Sequence, residues 1–284
     1  MIRERVAENV YVFTSEQYAS VNAGAVIGPD WSVLIDTLPF PEETQEMRSF
    51  IEEELESDVR FIIYTHYHAD HTFGACWFPE AVVLAHARTA ELLDTRGREG
   101  LREAKEQNRA LRDVELVLPH FVFDEGTLGL RLGERTLELV ALPGHTSDGA
   151  GVLLNEEKVL FAGDIMMPVP YLVDGDYDTM VESLKSIPKM KLESLVQGHG
   201  DVILRGEVGT AVKENLNYLE CISKAARKAG RRKDPLPVLE ETELEECGKS
   251  RILLNGLAEE LHWRNLEALL RRWYPEKAEQ VLAA

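Results

Sequence analysis

Three histidines and one aspartate lie within six residues of the sequence, at His66, His68, Asp70 and His71. They follow residues 61–64, a short apolar run with aromatic and β-branched side chains that is typical of a strand buried on both faces. Clustered histidines make no core, and each needs a hydrogen-bond partner if it is buried. Imidazole nitrogens and carboxylate oxygens are, however, the usual ligands of zinc and other first-row metals. The cluster therefore predicts a metal site at the end of this strand.

The spacing His-x-His-x-Asp-His resembles the signature of the metallo-β-lactamase superfamily, in which further metal ligands follow in a set order. The downstream ligands that the resemblance requires are present at His145, Asp164 and His199. Each lies at the end of an apolar, strand-like run and beside a glycine, which permits the tight turn that aims a ligand at a metal. The resemblance covers roughly residues 6–205, and all seven expected ligand positions match. It implies a four-layer αββα fold, whereas the residue pattern alone predicts only the α/β class.

The resemblance also implies how the seven ligands are divided between two divalent metal ions. Three histidines would hold the first ion: His66, His68 and His145. One aspartate and two histidines would hold the second: Asp70, His71 and His199. Asp164 would bridge both ions, which we expect to be zinc, with iron or manganese as alternatives. Such a pair lowers the pKa of a shared water to about neutral, and Asp70 would orient the resulting hydroxide and take part in proton transfer.

The segment that directly follows Asp164, residues 165–177, is irregular and rich in Met, Pro, Tyr and Asp. A loop that follows a metal ligand is well placed to line the substrate pocket. Within it, Tyr171 is our candidate for a phenol that contacts the substrate, and a packing role is the alternative. The predicted catalytic residues are therefore Asp70 and Tyr171, and no organic cofactor is expected.

The identity of the bridging residue narrows the expected reaction. Most zinc β-lactamases carry Cys or Ser where this chain has Asp164, so the full ligand set is more similar to the glyoxalase II and lactonase-like branches of the superfamily. This likeness implies a hydrolase that cleaves an ester, lactone, thioester or amide, with a side activity on β-lactams as a further expectation. Two alternatives stay open: an iron-dependent sulfur dioxygenase, and a phosphodiesterase or nuclease of the same superfamily.

The chain is strongly acidic, because 31 Lys and Arg residues against 50 Asp and Glu residues give a formal net charge of −19 over 284 residues. An acidic surface repels nucleic-acid phosphates and anionic membranes. We therefore expect a small-molecule substrate, and neither nucleic acid nor a membrane as a partner. Residues 1–9 carry acids and lack a long apolar stretch, so no signal peptide is predicted.

The cysteines favour an intracellular protein without disulfides. Cys76, Cys221 and Cys247 are scattered along the chain and form no Cys-x-x-Cys pair. An odd and scattered set predicts no disulfide framework and is typical of a reducing cytoplasm.

Strand-like runs alternate with helical patterns up to residue 206, after which the pattern becomes helical. We therefore predict a catalytic domain over residues 1–206 and a helical C-terminal extension over residues 207–284. Residues 207–230 predict one helix, and recurring leucines over residues 251–274 predict one or two amphipathic helices. Their apolar face must be buried against the main domain or against a second subunit, so a homodimer through these helices is one expectation.

Four further features have to be assigned either a structural or a functional role. Residues 97–113 are charged and predict an inserted helix, which is either a solvated surface helix or a lid over the site. His86 is interpreted as a helix cap and His120 as a structural histidine, because neither has a ligand partner nearby in sequence. By the resemblance, Asp36 at the end of the strand-like run 31–35 supports the metal loop, and a strand-end cap is the alternative.

Overall fold

A computed structural model, which describes residues 1–282, contains two mixed β-sheets packed face to face. The first sheet has seven strands in sequence order: β1 (Ile2–Ala7), β2 (Val10–Thr14), β3 (Asn22–Ile27), β4 (Ser32–Ile35), β5 (Val59–Ile63), β6 (Val82–His86) and β7 (Phe121–Phe123). The second sheet has six strands in the order β13 (Ile203–Leu204), β12 (Ser194–Gln197), β11 (Val159–Gly163), β10 (Ala150–Leu154), β9 (Arg135–Ala141) and β8 (Leu128–Leu132). Strands β4 to β7 run parallel, as do β11 and β12, and the other neighbours pair antiparallel.

Helices cover the outer faces of both sheets. In chain order they are α1 (Pro41–Ser49), α2 (Ala69–Thr72), α3 (Ala87–Leu92), α4 (Arg98–Gln107), α5 (Tyr177–Ser186), α6 (Val208–Gly230), α7 (Leu236–Glu240), α8 (Ala258–Trp273) and α9 (Pro275–Leu282). None of the helices formed by residues 1–282 combines the length and the apolar character that crossing a bilayer requires.

Alternating side chains of the central strands build separate cores on the two faces of each sheet. In β4, Val33 and Ile35 point into the layer between the sheets, where they meet Leu139 and Val152 of the second sheet. Leu34 of the same strand points outward into a second core. Because every face is buried, these strands are apolar without interruption, which is the pattern that the sequence shows.

The outer cores complete a four-layer arrangement. Met47 of α1 packs on the outer face of the first sheet, and Met180 of α5 packs on the outer face of the second. The predicted α/β class and four-layer αββα sandwich are therefore confirmed.

The C-terminal helices pack against this chain's own second sheet. Tyr218 and Leu219 of α6 and Leu266 of α8 belong to the same buried cluster as Leu160 and Leu195 of strands β11 and β12. The amphipathic pattern over residues 251–274 is thus explained by burial within the chain. Helix α8 begins later than the sequence predicts, because Leu254 and Asn255 adopt left-handed backbone conformations that interrupt a helix. The division of the chain at residue 206 stays a prediction.

The expectation of unpaired cysteines was wrong. Cys221 in α6 and Cys247 form a disulfide whose Cα atoms lie 5.5 Å apart, and Cys76 is free. The sequence separation of 26 residues gave no signal, because the pairing depends on how the segment after α7 folds back onto α6. The bond ties this segment to the helix beneath it.

Three of the ambiguous sequence features have a clear structural position. The ring of His86 caps α3 by accepting from the backbone N–H of Arg88, and His120 Nδ1 accepts from the N–H of Val83. Both histidines are structural. Residues 98–107 form the exposed helix α4, whose Leu101 packs with Phe73 just beyond the metal loop. A lid role for this segment stays a prediction.

Candidate metal centre

The seven residues predicted as metal ligands converge at one edge of the two sheets. They lie beyond the ends of four strands: His66, His68, Asp70 and His71 after β5, His145 after β9, Asp164 after β11, and His199 after β12. The edges of the two sheets are joined there, since Val21 pairs with His199 and the Asn22 side chain donates to the carbonyls of Gln197 and Gly200 at 2.9 and 2.7 Å. Strand ends from both sheets therefore position one site.

Two glycines leave the space that the aspartate between the clusters needs. A Cβ atom on Gly198 would lie 1.8 Å from Asp164 Oδ1, so only glycine fits beside that carboxylate. Gly163, directly before Asp164, has a φ of +56°, a left-handed conformation that glycine adopts without strain. The glycines noted in the sequence thus have steric reasons.

The possible ligand atoms form two groups, within each of which all atoms lie within 4.8 Å of one another. We call one group the first cluster: His66, His68, His145 and Asp164. We call the other the second cluster: Asp70, His71 and His199. This grouping is the division of ligands that the family resemblance implies, and it brings all seven predicted residues together.

Asp164 lies between the two clusters. Its Oδ2 is 3.3 Å from His145 Nε2 and 3.5 Å from His199 Nε2, and its Oδ1 is 3.2 Å from His71 Nε2. Asp70 lies beside the second cluster's histidines, with Oδ2 3.3 Å from His199 Nε2. The side chain of Asp70 is 16% exposed and that of Asp164 is 4% exposed, so Asp70 is the more accessible of the two carboxylates.

The histidines of the second cluster donate their outer N–H groups to the first sheet. His71 Nδ1 donates to Asp36 Oδ2 at 2.9 Å, and His199 Nδ1 donates to the carbonyl of Ala19 at 3.0 Å. Asp36 also accepts from the backbone N–H and the hydroxyl of Thr65, both at 2.7 Å. Asp36 therefore supports the metal loop as the resemblance implies, and it is more than a strand-end cap.

Two histidines of the first cluster, His145 and His68, have their outer nitrogens on a different segment, the loop after Asp164. His145 Nδ1 donates to the carbonyl of Tyr171 at 2.9 Å, and His68 Nε2 lies 3.3 Å from Asp174 Oδ2. Asp174 also accepts from the hydroxyl of Tyr67 and from Arg96, each at 3.0 Å. These contacts fix which ring nitrogen of each histidine faces the centre.

The fifth ring, His66, completes the pattern. Its Nδ1 lies 3.0 Å from the Thr65 hydroxyl oxygen, which accepts because the Thr65 hydroxyl proton is donated to Asp36. Every histidine of the centre thus uses its outer N–H on a protein acceptor and, when neutral, presents an unprotonated nitrogen inward.

When they are neutral, the histidines of the first cluster have no inward-facing protons with which to bind each other. His145 Nε2 and His68 Nδ1 lie 2.9 Å apart, and both are lone-pair atoms once their partner nitrogens donate outward. His66 Nε2, His71 Nε2 and Asp164 Oδ1 are buried without any hydrogen-bond partner. Buried lone pairs and carboxylates repel one another unless a cation lies between them. The donor set of nitrogen and oxygen atoms fits divalent metal ions.

The histidine pKa values of the two clusters shift in opposite directions, because burial dominates in the first cluster and the carboxylate charges dominate in the second. Burial lowers the pKa of His145 to about 4 and lowers that of His66 as well. Burial also acts to lower the pKa of His199, but the charges of Asp164 and Asp70 outweigh it and raise that pKa to about 10. The same carboxylates overcome burial to raise the pKa of His71. Metal binding at the second cluster must therefore displace protons.

Aromatic residues surround the mouth of the centre. The ring of Tyr171 lies 6.0 Å from that of His145, and its hydroxyl is 3.5 Å from Arg264 Nη1 of α8. Tyr171 and Arg264 also line a cavity of about 410 Å³ between this loop and α8. The charge of Asp70, then burial and the charge of Asp164, raise the pKa of the Tyr18 phenol to about 12.

Sequence reasoning missed several residues of this site. Tyr18, Asp174 and Arg264 have no ligand-like spacing, and Arg264 lies in a helix that the sequence predicts only as a packing element. The only signal was general: the irregular segment after Asp164 was expected to line the pocket. That segment contacts the outer nitrogens of His145 and His68 through a backbone carbonyl and a carboxylate, and its role in lining a substrate pocket stays a prediction.

An αββα sandwich with a buried centre of five histidines and two aspartates at one sheet edge defines a class of metal-binding protein. The family model described as the metallo-beta-lactamase superfamily matches residues 19–207, and the chain belongs to this superfamily.

Curated relatives are similar at low identity. Beta-lactamase-like protein 2 homolog of Caenorhabditis elegans is 28% identical over 52% of this chain and 44% of its own length. Thioesterase pkgB of Emericella nidulans is 27% identical over 61% of this chain and 43% of its own length. Hydroxyacylglutathione hydrolase GloC of Haemophilus influenzae is 28% identical over 55% of this chain and 75% of its own length. The chain thus spans less than half the length of the first two.

Solved structures share the fold. A metallo-beta-lactamase from Pontibacter korlensis superposes with a TM-score of 0.60 at 21% identity, covering 75% of this chain and 97% of that one. The sec-alkylsulfatase Pisa1 from Pseudomonas superposes with a TM-score of 0.73 at 16% identity, covering 95% of this chain and 50% of that one. The second likeness extends into the C-terminal helices.

Proposed function

We propose that the protein is a metal-dependent hydrolase with a dinuclear zinc centre. The observation that carries this proposal is the convergence of seven nitrogen and oxygen ligand groups in two clusters, in which His66 Nε2, His71 Nε2 and Asp164 Oδ1 are buried without a hydrogen-bond partner. The first cluster would hold one ion and the second cluster the other, with Asp164 between them.

The chain's own residues define the chemical roles. When bound, two zinc ions supply a hydroxide at neutral pH and polarise the oxygen of the scissile carbonyl. Asp70, the more exposed carboxylate, is placed to accept the proton of the attacking water and to pass it to the leaving group. The outward hydrogen bonds of the five histidines hold the rings in place, so little reorganisation is needed during the reaction.

The proposed bond is a carboxylic thioester or a related ester, lactone or amide. Two relatives, named as a thioesterase and a hydroxyacylglutathione hydrolase, favour the thioester. The exposed apolar surfaces of Tyr18 and Val173, at 43% and 44%, suit an organic acyl group, and Tyr171 is proposed to contact it. The net charge of −19 weighs against a nucleic-acid substrate.

Partner and location are proposals of the same kind. We propose a small-molecule substrate and a homodimer through the surface of the C-terminal helices that packing within the chain leaves exposed, where Ile252 is 80% exposed. A cytoplasmic location stays a prediction. The disulfide between Cys221 and Cys247 weighs against it, because such bonds are rare in reducing compartments.

Metal analysis combined with a hydrolysis screen tests the proposal. Protein purified without added metal should contain two zinc ions per chain and should cleave at least one member of a panel of thioesters, aryl esters, lactones and β-lactams. His145→Ala should lose metal and activity, whereas the matched control His120→Ala should keep both, because His120 lies outside the centre. Iron with oxygen consumption and no hydrolysis would instead establish the dioxygenase alternative.

A further inference from the structure

One short loop carries the outer partners of two of the three histidines in the first cluster, His145 and His68. In residues 170–176, the carbonyl of Tyr171 accepts from His145, and the carboxylate of Asp174 faces His68 Nε2. These two contacts determine which nitrogen of each ring points inward. The position of this loop therefore sets the geometry of two ligands at once.

A single buried side chain of α8 holds the loop on both sides of Tyr171. Asn265 is fully buried, and its Nδ2 donates to the carbonyl of Pro170 at 2.6 Å. Its Oδ1 accepts from the backbone N–H of Leu172 at 2.7 Å. The carboxamide thus fixes the residues immediately before and after the carbonyl on which His145 depends.

Asn265 is in turn fixed by a buried polar network within the C-terminal region. Its Nδ2 lies 3.0 Å from the hydroxyl of Tyr218, which lies 3.1 Å from His262 Nδ1. His262 Nε2 donates to the carbonyl of Thr242 at 2.8 Å. Buried networks with satisfied partners are rigid, because breaking one bond leaves a polar group unpaired.

A second contact from α8 holds the other end of the loop. Arg272 donates to the carbonyl of Gly175 at 3.0 Å and pairs with the carboxylate of Asp176. The outer acceptors of the second cluster, Asp36 and the carbonyl of Ala19, lie instead in the first sheet and its loops. Within residues 1–282, no comparable contact from α8 reaches them.

We infer that Asn265 is a positioning residue for the metal ion of the first cluster, and that it acts through loop 170–174 on His145 and His68. The inference rests on the proposed metal centre. It assigns the C-terminal helices a role at the metal site, although they contribute no ligand of either cluster. Asp174 is a second positioning residue on the same path.

Chelator competition on the intact protein loaded with two cobalt ions tests this inference, with metal content and the cobalt absorption spectrum as readouts. Asn265→Leu, in which the new side chain is similar in size, should lower the affinity for one of the two ions about 10- to 100-fold. Loss of an outer partner of a ligand histidine has an effect of this size. The second ion should stay within about threefold of the parent, since its partners are untouched. Asp174→Ala, at a partly exposed position, should weaken the same ion without disturbing the buried network.

Leu270→Ala is the matched control for a loss of stability in α8. Leu270 is fully buried and faces Ala278 and Val281 of α9, away from the loop. Its replacement should lower the unfolding temperature and leave both ions at parent affinity.

Three outcomes would overturn the inference. Retention of both ions by Asn265→Leu and Asp174→Ala would do so, and so would equal weakening of one ion by Leu270→Ala. Both results leave the metal centre itself intact. A parent protein that binds no ion at the clusters would remove the proposed function together with this inference.

Discussion

Both clusters of the metal centre donate their outer N–H groups to protein acceptors, but the acceptors come from different parts of the chain. The second cluster depends on Asp36, directly after β4, and on Ala19, directly before β3. The first cluster depends for two of its histidines on a loop without regular structure that a helix more than 90 residues downstream holds in place. One half of the centre is thus built by the sheet and the other by long-range packing.

The two kinds of acceptor should differ in how readily substitutions elsewhere in the chain disturb them. The acceptor Asp36 sits between paired strands and binds Thr65 as well as His71, so it is fixed by the sheet core. The acceptors in loop 170–176 are held instead by single side chains of α8, Asn265 and Arg272, which can be replaced without disturbing a strand. We therefore expect substitutions far from the centre to reach the first cluster more readily than the second.

Replacing the aspartate shared by the clusters should have the largest effect. Asp164→Ala removes the carboxylate that lies within 3.5 Å of histidines from both clusters, so both ions should be lost together. Activity should fall by at least about 1,000-fold, because the reactive hydroxide is lost. Metal content and kcat/KM measure this, with the exposed Asp113→Ala as control. Loss of only one ion would separate the clusters into independent sites.

Removing the sheet-held acceptor should weaken the second cluster most, because Asp36 contacts His71 directly and reaches His66 of the first cluster only through the Thr65 hydroxyl. Asp36→Asn keeps an oxygen for the Thr65 N–H, and asparagine tolerates the left-handed φ of +57° at this position. Its amide can no longer accept reliably from His71, so one ion should bind about 10- to 100-fold more weakly. Chelator competition measures this against Thr65→Ser, which keeps the hydroxyl. Weaker metal binding at the first cluster than at the second would contradict the assignment of Asp36 to the second cluster.

The seven ligands could be predicted because their residue types and order resemble those of a known family, and each follows a strand whose end meets the others at one sheet edge. Asp36 was predictable for the same reason, since it directly follows β4. Register and strand order did not need to be known in detail. The family resemblance, supported by apolar runs and adjacent glycines, was enough to place Asp164 and His199 at the centre.

The supports of the first cluster could not be predicted, because their roles depend on tertiary contacts that leave no local pattern. Tyr171 contributes its backbone carbonyl to His145, so its side-chain type carries no signal for that role. Asn265 contacts residues 93 to 95 positions away. The pairing of Cys221 with Cys247 is a contact of the same kind, and the sequence prediction failed there for the same reason.

Metal binding should depend on pH more steeply at the second cluster than at the first. In the metal-free protein, the Asp164 and Asp70 charges keep the pKa of His199 at about 10 against the effect of burial, so a bound ion must displace its proton. Below that pKa, affinity should rise about tenfold per pH unit for each displaced proton. Burial lowers the pKa of His145 to about 4, so its ion should show little dependence between pH 6 and 9.

The number of protons released when metal is added tests this predicted difference in pH dependence directly. Calorimetric titration in buffers of different ionisation enthalpy should show one ion that releases protons near pH 7 and one that releases almost none. Equal release by both ions would contradict the difference between the clusters.

The smallest effect is expected at Tyr171, where backbone and side chain have separate roles. Tyr171→Phe keeps the carbonyl that accepts from His145 and removes only the hydroxyl near Arg264. Both ions should therefore bind as in the parent, while KM for a cleaved substrate should rise no more than about tenfold, the value of one hydrogen bond. Steady-state kinetics and metal content on the same preparation measure the two roles separately. A loss of metal would mean that the phenol, and not the loop backbone, holds the first cluster.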